Sequence, residues 1–335
     1  MSIAMRTAAS IAVAILVSGC RPDNPGPSEE DRADTTVRVE RFLDGVRESF
    51  PFMPVVLEMP DNEMATPMAG MVLEPGGQHQ VGSCRIVGTT PTFVAGMVDG
   101  VKAFAGQRFG TLDADVLRTL AVESVLVHEV GHCLLQLGDP SEDAVGPKEF
   151  PRAYWGELVG DTFMLLALRR DGVPEKEGAA FRSYIAAYRL ADFGHGRLTH
   201  WSWPGIRAVM DLPASEIPGD HLSAFNKAVE IARAVVPDVG ERRDLKHALC
   251  AALESWAPDS DAIPLVQADS PTAPALVRET AAAIREFVPA DGQWGRERHQ
   301  LRMTWAKTAR NGFCQAYRVH GVSMKSSWPV GPLQP

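Results

Sequence analysis

Three absences narrow the function of this chain before any motif is considered. Beyond its first twenty residues there is no apolar run approaching the roughly 20 residues that cross a bilayer as a helix, which excludes a bundle of membrane-spanning helices. There is no excess of basic residues. The formal net charge is −9 with a pI near 5.5, so no basic stripe is on offer to neutralise phosphates, and nucleic acid is excluded as the expected partner. No internal repeat is visible, which removes solenoid arrays. Proline, although present 25 times in all, is missing from Asp113 to Gly138, so nothing in that stretch obstructs a helix.

What is present begins with an export signal. Met1 to Arg6 is followed by an uncharged stretch from Ala8 to Val17 and then by Val17-Ser18-Gly19-Cys20. The stretch is too short to span a membrane and fits the core of a signal peptide. Small residues before a cysteine resemble the lipobox of bacterial lipoproteins. The resemblance implies a signal peptide over 1–19 and a lipid anchor on Cys20 as the first mature residue. Arg21 rather than Asp after the cysteine points in such lipoproteins to the outer membrane, so the expected location is exported and periplasm-facing. An ordinary cleaved secretory signal is the alternative, and it too takes the chain out of the cytoplasm. Residues 20–36 are rich in Pro, Asp, Glu, Ser and Gly without an apolar cluster, and are expected to be a flexible tether. With Cys20 set aside, Cys84, Cys133, Cys250 and Cys314 form an even set in a disulfide-permissive compartment. Three pairings are possible. Cys250 with Cys314 is favoured because both fall in the C-terminal helical part, which leaves Cys84 with Cys133; four reduced, buried thiols are the competing expectation.

The chain is organised around His128-Glu129-Val130-Gly131-His132. Residues four apart share a helix face, so both imidazoles can reach one ion while Glu129 lies beside them. By composition alone such a pentamer arises by chance in roughly one per cent of chains this long, so its context has to decide. That context is a helix. Asp113 is a suitable N-cap, Gly138-Asp139-Pro140 is a stop, and Leu117, Leu120, Ser124, Val127, Gly131 and Leu134 fall at three- and four-residue steps. That face is expected to pack into the core, with Gly131 permitting close approach.

A catalytic zinc takes three protein ligands and keeps a fourth position open, so one more ligand is required. The metzincin pattern fails, because Leu135 and Gly138 occupy the positions it assigns to Gly and His. Asp139 or Asp143 could serve just after the helix. The stronger candidate is Glu157 with Asp161, one turn apart on a second, otherwise oily helix. Such an acidic pair is costly to bury unless something cationic receives it. Two solvated acids favouring the helix N-terminus would be the ordinary alternative.

His-Glu-x-x-His followed by Glu-x-x-x-Asp on the next helix resembles the gluzincin branch of zinc metallopeptidases, the thermolysin-like enzymes, over residues 113 to 172. It has a similar look to bacterial metallopeptidase families of unassigned substrate as well. The resemblance implies zinc on His128, His132 and Glu157, water activation by Glu129, and a hydrogen bond from a ligand histidine to Asp161. The Asn-Ala-Trp-Tyr-like substrate strand of thermolysin relatives is not visible. An oxyanion donor is also needed, and His221 backed by Asp220 is the first candidate, with His195, His200, Tyr154 and Tyr184 competing.

The expected fold is α+β, mostly α and zincin-like. A small N-terminal, mostly antiparallel sheet is read from 53–59, 68–73 and 81–89, after a short helix at 37–48. Helices are expected near 113–137, 152–170, 175–192, 221–235, 241–256, 273–287 and 295–318, with another beginning within 93–105, and loops at 194–204, 212–220 and 257–272. A catalytic domain over 37–193 is expected to precede a helical lobe over 194–335. Trp201 and Trp203 either rim a cleft or, more commonly, pack inside. The function expected is a zinc metallopeptidase cleaving peptide or protein substrates at the cell envelope. The alternatives are a non-catalytic metal-binding or interaction lipoprotein, or an amidase or endopeptidase acting on cell-wall cross-links.

Overall fold

We describe the protein from a computed structural model, which describes residues 29–51, 53–58, 68–73, 82–87, 114–137, 152–171, 175–194, 200–255, 264–268, 271–288 and 314. Cys20, the 1–19 signal segment, Asp139, Asp143, His195, the expected helix start within 93–105 and, Cys314 apart, the expected 295–318 helix lie outside the described residues. In chain order the elements are α1 (Glu29–Ser49), β1 (Val55–Glu58), β2 (Met68–Leu73), β3 (Gly82–Val87), α2 (Ala114–Leu137), α3 (Arg152–Arg170), α4 (Glu175–Gly194), α5 (Trp203–Asp211), α6 (His221–Val235), α7 (Val239–Ser255) and α8 (Ala275–Phe287). The described part is therefore mostly helical, with one small sheet.

The sheet corrects the antiparallel expectation. β3 is central, in the order β1-β3-β2. β2 pairs with it antiparallel, Met68 opposite Val87, whereas β1 pairs with it parallel, Val55 opposite Cys84. The strands still alternate in direction along the chain. A simple meander would leave β3 at an edge; inserting it between the other two forces its pairing with β1 to be parallel. The residues explain why β3 takes the centre. Cys84 and Ile86, two apart on one face, are buried against the core, and Cys84 is bonded to Cys133 of α2.

α2 and α3 form the most extensive interface between elements. Their approach is set by two glycines: a Cβ on Gly131 would lie 3.2 Å from the Cα of Gly160. Around this pair, α1 packs on α2, and α5 and α6 pack on α3. Arg38 of α1 donates through Nε to the buried Glu123 of α2 at 2.8 Å. At the far end of α3, Arg169 donates to the carbonyls of Val209 and Leu212, both at 2.8 Å, which satisfies orphan acceptors where α5 ends.

Two further expectations change. α1 starts at Glu29, so the last residues of the segment read as a tether are helical. The stretch expected as a loop at 194–204 runs into α5 at Trp203, where Pro204 is accommodated in the first turn. Among the described residues, one core cluster runs from Phe42 through Phe163 and Trp201 to Cys314. Trp201 and Trp203 are buried in it, Trp201 against Tyr154 and Phe193, Trp203 against Phe287.

Both disulfides form as favoured from sequence, Cys84–Cys133 and Cys250–Cys314. Such bonds persist in oxidising surroundings, which points to an extracellular or periplasmic location. Among the described residues, no helix is long and apolar enough to cross a membrane.

Candidate metal centre

The last three turns of α2 deliver His128 and His132 to one point, with their Nε2 atoms 3.0 Å apart. The second turn of α3 delivers Glu157 opposite them: Oε2 lies 3.5 Å from His128 Nε2, and Oε1 lies 3.6 Å from His132 Nε2. These three residues are the group of ligand atoms among the described residues that could hold a metal ion. The donor set that the sequence brought forward from two helices is thus assembled in space.

The crossing is built for the rings. A Cβ on Gly160 would fall 2.9 Å from His128 Cε1, and one on Gly156 would fall 3.1 Å from His132 Nδ1. Each imidazole therefore lies over a glycine of α3, and each of those glycines is followed by an acid, Glu157 or Asp161. This Gly-Glu-x-x-Gly-Asp spacing is how one helix supplies both the room for two rings and the carboxylates that meet them.

Asp161 is fully buried and saturated with donors. His128 Nδ1 lies 2.8 Å from Oδ1, Arg189 approaches through Nε at 2.7 Å and a terminal nitrogen at 2.8 Å, and the Ser202 hydroxyl donates to Oδ2. Ser202 is the N-cap residue of α5 but makes no side-chain cap, its hydroxyl being used on Asp161. Arg189 also reaches Glu157 Oε2 at 3.2 Å. His200 stands on the same side: Nε2 is 3.6 Å from Glu157 Oε2, and Nδ1 is 3.0 Å from Asp192 Oδ2. Arg189 and Asp192, three apart, project from one face of α4.

Electrostatics follows from this packing. Burial opposes ionisation of Glu157, but His200, Arg189 and the two ligand histidines outweigh it and hold the carboxyl down at about 2. Asp161 is likewise held far below the usual carboxylate range, against its burial, by Arg189 and His128. For His132, burial and the neighbouring His128 lower the ring to about 4, which leaves its nitrogen lone pair available at neutral pH. Burial also works against charge on His128, but the Asp161 and Glu157 carboxylates prevail and raise it. Glu129 behaves differently from the other two acids. Its burial and the nearby Glu157 push it up to about 7, although His128, Arg189 and a hydrogen bond from the Ala69 backbone of β2 act the other way.

His221 is corrected. It lies at the opposite end of α3, with Nε2 2.7 Å from a terminal nitrogen of Arg170 and its ring edge-on to Phe42. Thirteen residues of helix separate Arg170 from Glu157, roughly 20 Å at 1.5 Å per residue. Asp220 does not back it either: its carboxylate caps α6, accepting from the Ser223 amide at 2.8 Å. Of the competing candidates, Tyr184 is stacked on Phe181 in the core and Tyr154 on Trp201, whereas His200 is at the site. Arg189, Asp192 and Ser202 were not singled out from sequence. Arg189 left a signal, a lone cation in the apolar stretch Tyr184 to Leu190, to which the logic applied to Glu157 and Asp161 extends.

The chain matches no family model, no curated protein and no solved structure.

Proposed function

We propose that the protein is a zinc-dependent, zincin-like metallopeptidase of the gluzincin type, exported and anchored through Cys20 at the cell envelope. The observation that carries this reading is the convergence of His128, His132 and Glu157 with a buried carboxylate, Glu129, left outside the ligand set. A structural metal has no need of such a base; a hydrolytic one does.

The donor set fits zinc. Tetrahedral bonds of roughly 2.0–2.1 Å place ligand atoms about 3.3 Å apart. The observed separations of His132 Nε2 from His128 Nε2 and from Glu157 Oε1, 3.0 and 3.6 Å, bracket that value. Charge supports the same conclusion. Glu157 and Asp161, both held ionised, share the single guanidinium of Arg189, which leaves negative charge in a buried cluster for a cation to neutralise. The site also has a way in: the side chains of His132, Glu157 and His200 are each about a fifth exposed.

When bound, zinc acidifies a water to near-neutral pKa and polarises a substrate carbonyl. The chain's own residues supply the rest. Glu129 takes the proton from the attacking water and returns it to the leaving amine. Asp161 lies 2.8 Å from His128 Nδ1, a contact that would orient the ring with Nε2 toward the ion. His200, replacing His221 in this role, lies with Nδ1 3.0 Å from Asp192 Oδ2 and turns Nε2 toward the site, where it is the donor offered to the developing oxyanion. The two disulfides accord with the exported location.

The test is metal analysis of the purified protein together with cleavage of a peptide library and of peptidoglycan. Stoichiometric zinc and chelator-sensitive peptide cleavage are expected. A protein that takes up no zinc from zinc-replete solution refutes the proposal, and cleavage of peptidoglycan alone moves it to cell-wall cross-links.

A further inference from the structure

Resting on the zinc reading, we infer that Arg189 is a positioning residue that restricts Glu157 to one ligating oxygen and so keeps a coordination position free for water. A glutamate can bind a metal through one oxygen or two. In a site with two histidines, the second oxygen would occupy the place that a hydrolytic centre leaves open. The two oxygens of Glu157 are in different surroundings here. Each oxygen faces one histidine, Oε2 lying 3.5 Å from His128 Nε2 and Oε1 3.6 Å from His132 Nε2, but it is Oε2 that carries the Arg189 guanidinium at 3.2 Å and has His200 Nε2 at 3.6 Å.

The guanidinium cannot follow Glu157 if the carboxylate turns. Its Nε and one terminal nitrogen are fixed on the two oxygens of Asp161, at 2.7 and 2.8 Å, and the side chain is buried. Asp161 is in turn held by His128 Nδ1 and the Ser202 hydroxyl. One planar fork therefore spans the two acids that lie a turn apart on α3, anchored on the non-ligand and reaching the ligand. Nη2 of this guanidinium donates to Asp161 Oδ1 and lies 3.2 Å from Glu157 Oε2, so the cation holds Oε2 in an ion pair and leaves Oε1 for the ion.

The experiment is X-ray absorption at the zinc edge on the zinc-loaded full chain, for wild type, Arg189→Met and Arg189→Lys, each checked by circular dichroism. Wild type is expected to show four nitrogen or oxygen neighbours. Arg189→Met is expected to gain one oxygen as Oε2 joins the ion. Arg189→Lys keeps a cation for Asp161, and so protects the fold if the Met variant fails, but a single ammonium cannot span both acids, and the same gain is expected. Cobalt(II) replacing zinc gives a second readout: the visible band should weaken severalfold in both variants as the coordination number rises. Five neighbours in wild type, or four in either folded variant, overturns the inference while leaving the zinc reading in place. Failure of wild type to bind zinc overturns both.

Discussion

The imidazole of His128 lies over Gly160, so closely that a Cβ at that position would come within 2.9 Å of Cε1 and 3.0 Å of Nδ1. Nδ1 is the atom that meets Asp161, and Nε2, on the other side of the ring, is the atom that meets His132 and Glu157. The ring plane is thus set by a missing side chain below and a carboxylate beside it. A methyl group at 160 must displace the ring, the backbone of α3, or both.

Gly160→Ala is expected to lower zinc affinity by roughly 10- to 100-fold, the range for disturbing what orients a ligand. Helix propensity acts in the opposite direction, favouring Ala by about 0.5–1 kcal/mol, so the fold should not be lost through propensity. Competition for zinc against a chromogenic chelator measures the effect. Unchanged affinity would show that the ring does not depend on this slot.

Glu129→Gln is expected to retain zinc and lose peptide cleavage by roughly 10²- to 10⁴-fold, the contribution typical of a general base. Glu157→Ala is expected to lose zinc as well as activity. Metal content and turnover measured on the same preparations distinguish the two roles.

Asp161→Ala leaves Arg189 buried without its main partner. Breaking a buried pair in this way costs about 3–5 kcal/mol, so the variant should unfold at markedly lower denaturant in the metal-free state. Asp161→Ala combined with Arg189→Met should recover part of the loss, because no buried charge is then stranded.

His221 ties stability to acid. Burial and the adjacent Arg170 lower the ring to about 3 in the folded protein, against an ordinary value of 6.5. Between those values the unfolded chain binds a proton that the folded chain refuses, so stability falls as the pH drops from 6.5 towards 3 and is unaffected by this group above 6.5. His221→Asn is expected to flatten that part of the stability curve, measured by urea unfolding at successive pH values. Gly45→Ala should destabilise at every pH, because its Cβ would meet the His221 ring at 2.5 Å.

The Cys84–Cys133 bond closes a loop between residues 49 apart and fastens β3 to α2 beside His132. Loop-closure entropy assigns it about 4 kcal/mol. Replacing both cysteines with alanine is expected to lower thermal stability accordingly and, because β2 hangs on β3, to loosen the Ala69 contact with Glu129. Hydrogen exchange at Ala69 and Met71 reports on the strand.

Much of the scaffold was legible because it is local. Apolar residues at three- and four-residue steps marked α2, and the helical pattern of the later stretches placed α3 and α6 nearly to the residue. His128 and His132 share a face by helix geometry alone, whatever surrounds them. Glu157 and Asp161 were recognisable because burying two acids demands a partner, a constraint that acts on composition before any fold is known.

Tertiary structure decided what depends on elements distant in the chain. On paper His221 is the first donor candidate and His200 a competitor; the packing of α6 against α1 and the end of α3 placed His221 beside Arg170, and the turn before α5 placed His200 beside Glu157. The parallel pairing of β1 with β3 followed from which strand took the centre of the sheet. The partners of Asp161 are 28 and 41 residues away, at Arg189 and Ser202. Sequence by itself determined the grouping of His128, Glu129 and His132 and that of Glu157 and Asp161, since each lies within about one turn of helix from its neighbour in the motif. The fold alone determined the guanidinium and the third imidazole, since the contacts that fix them close long loops, and no local spacing encodes where such loops close.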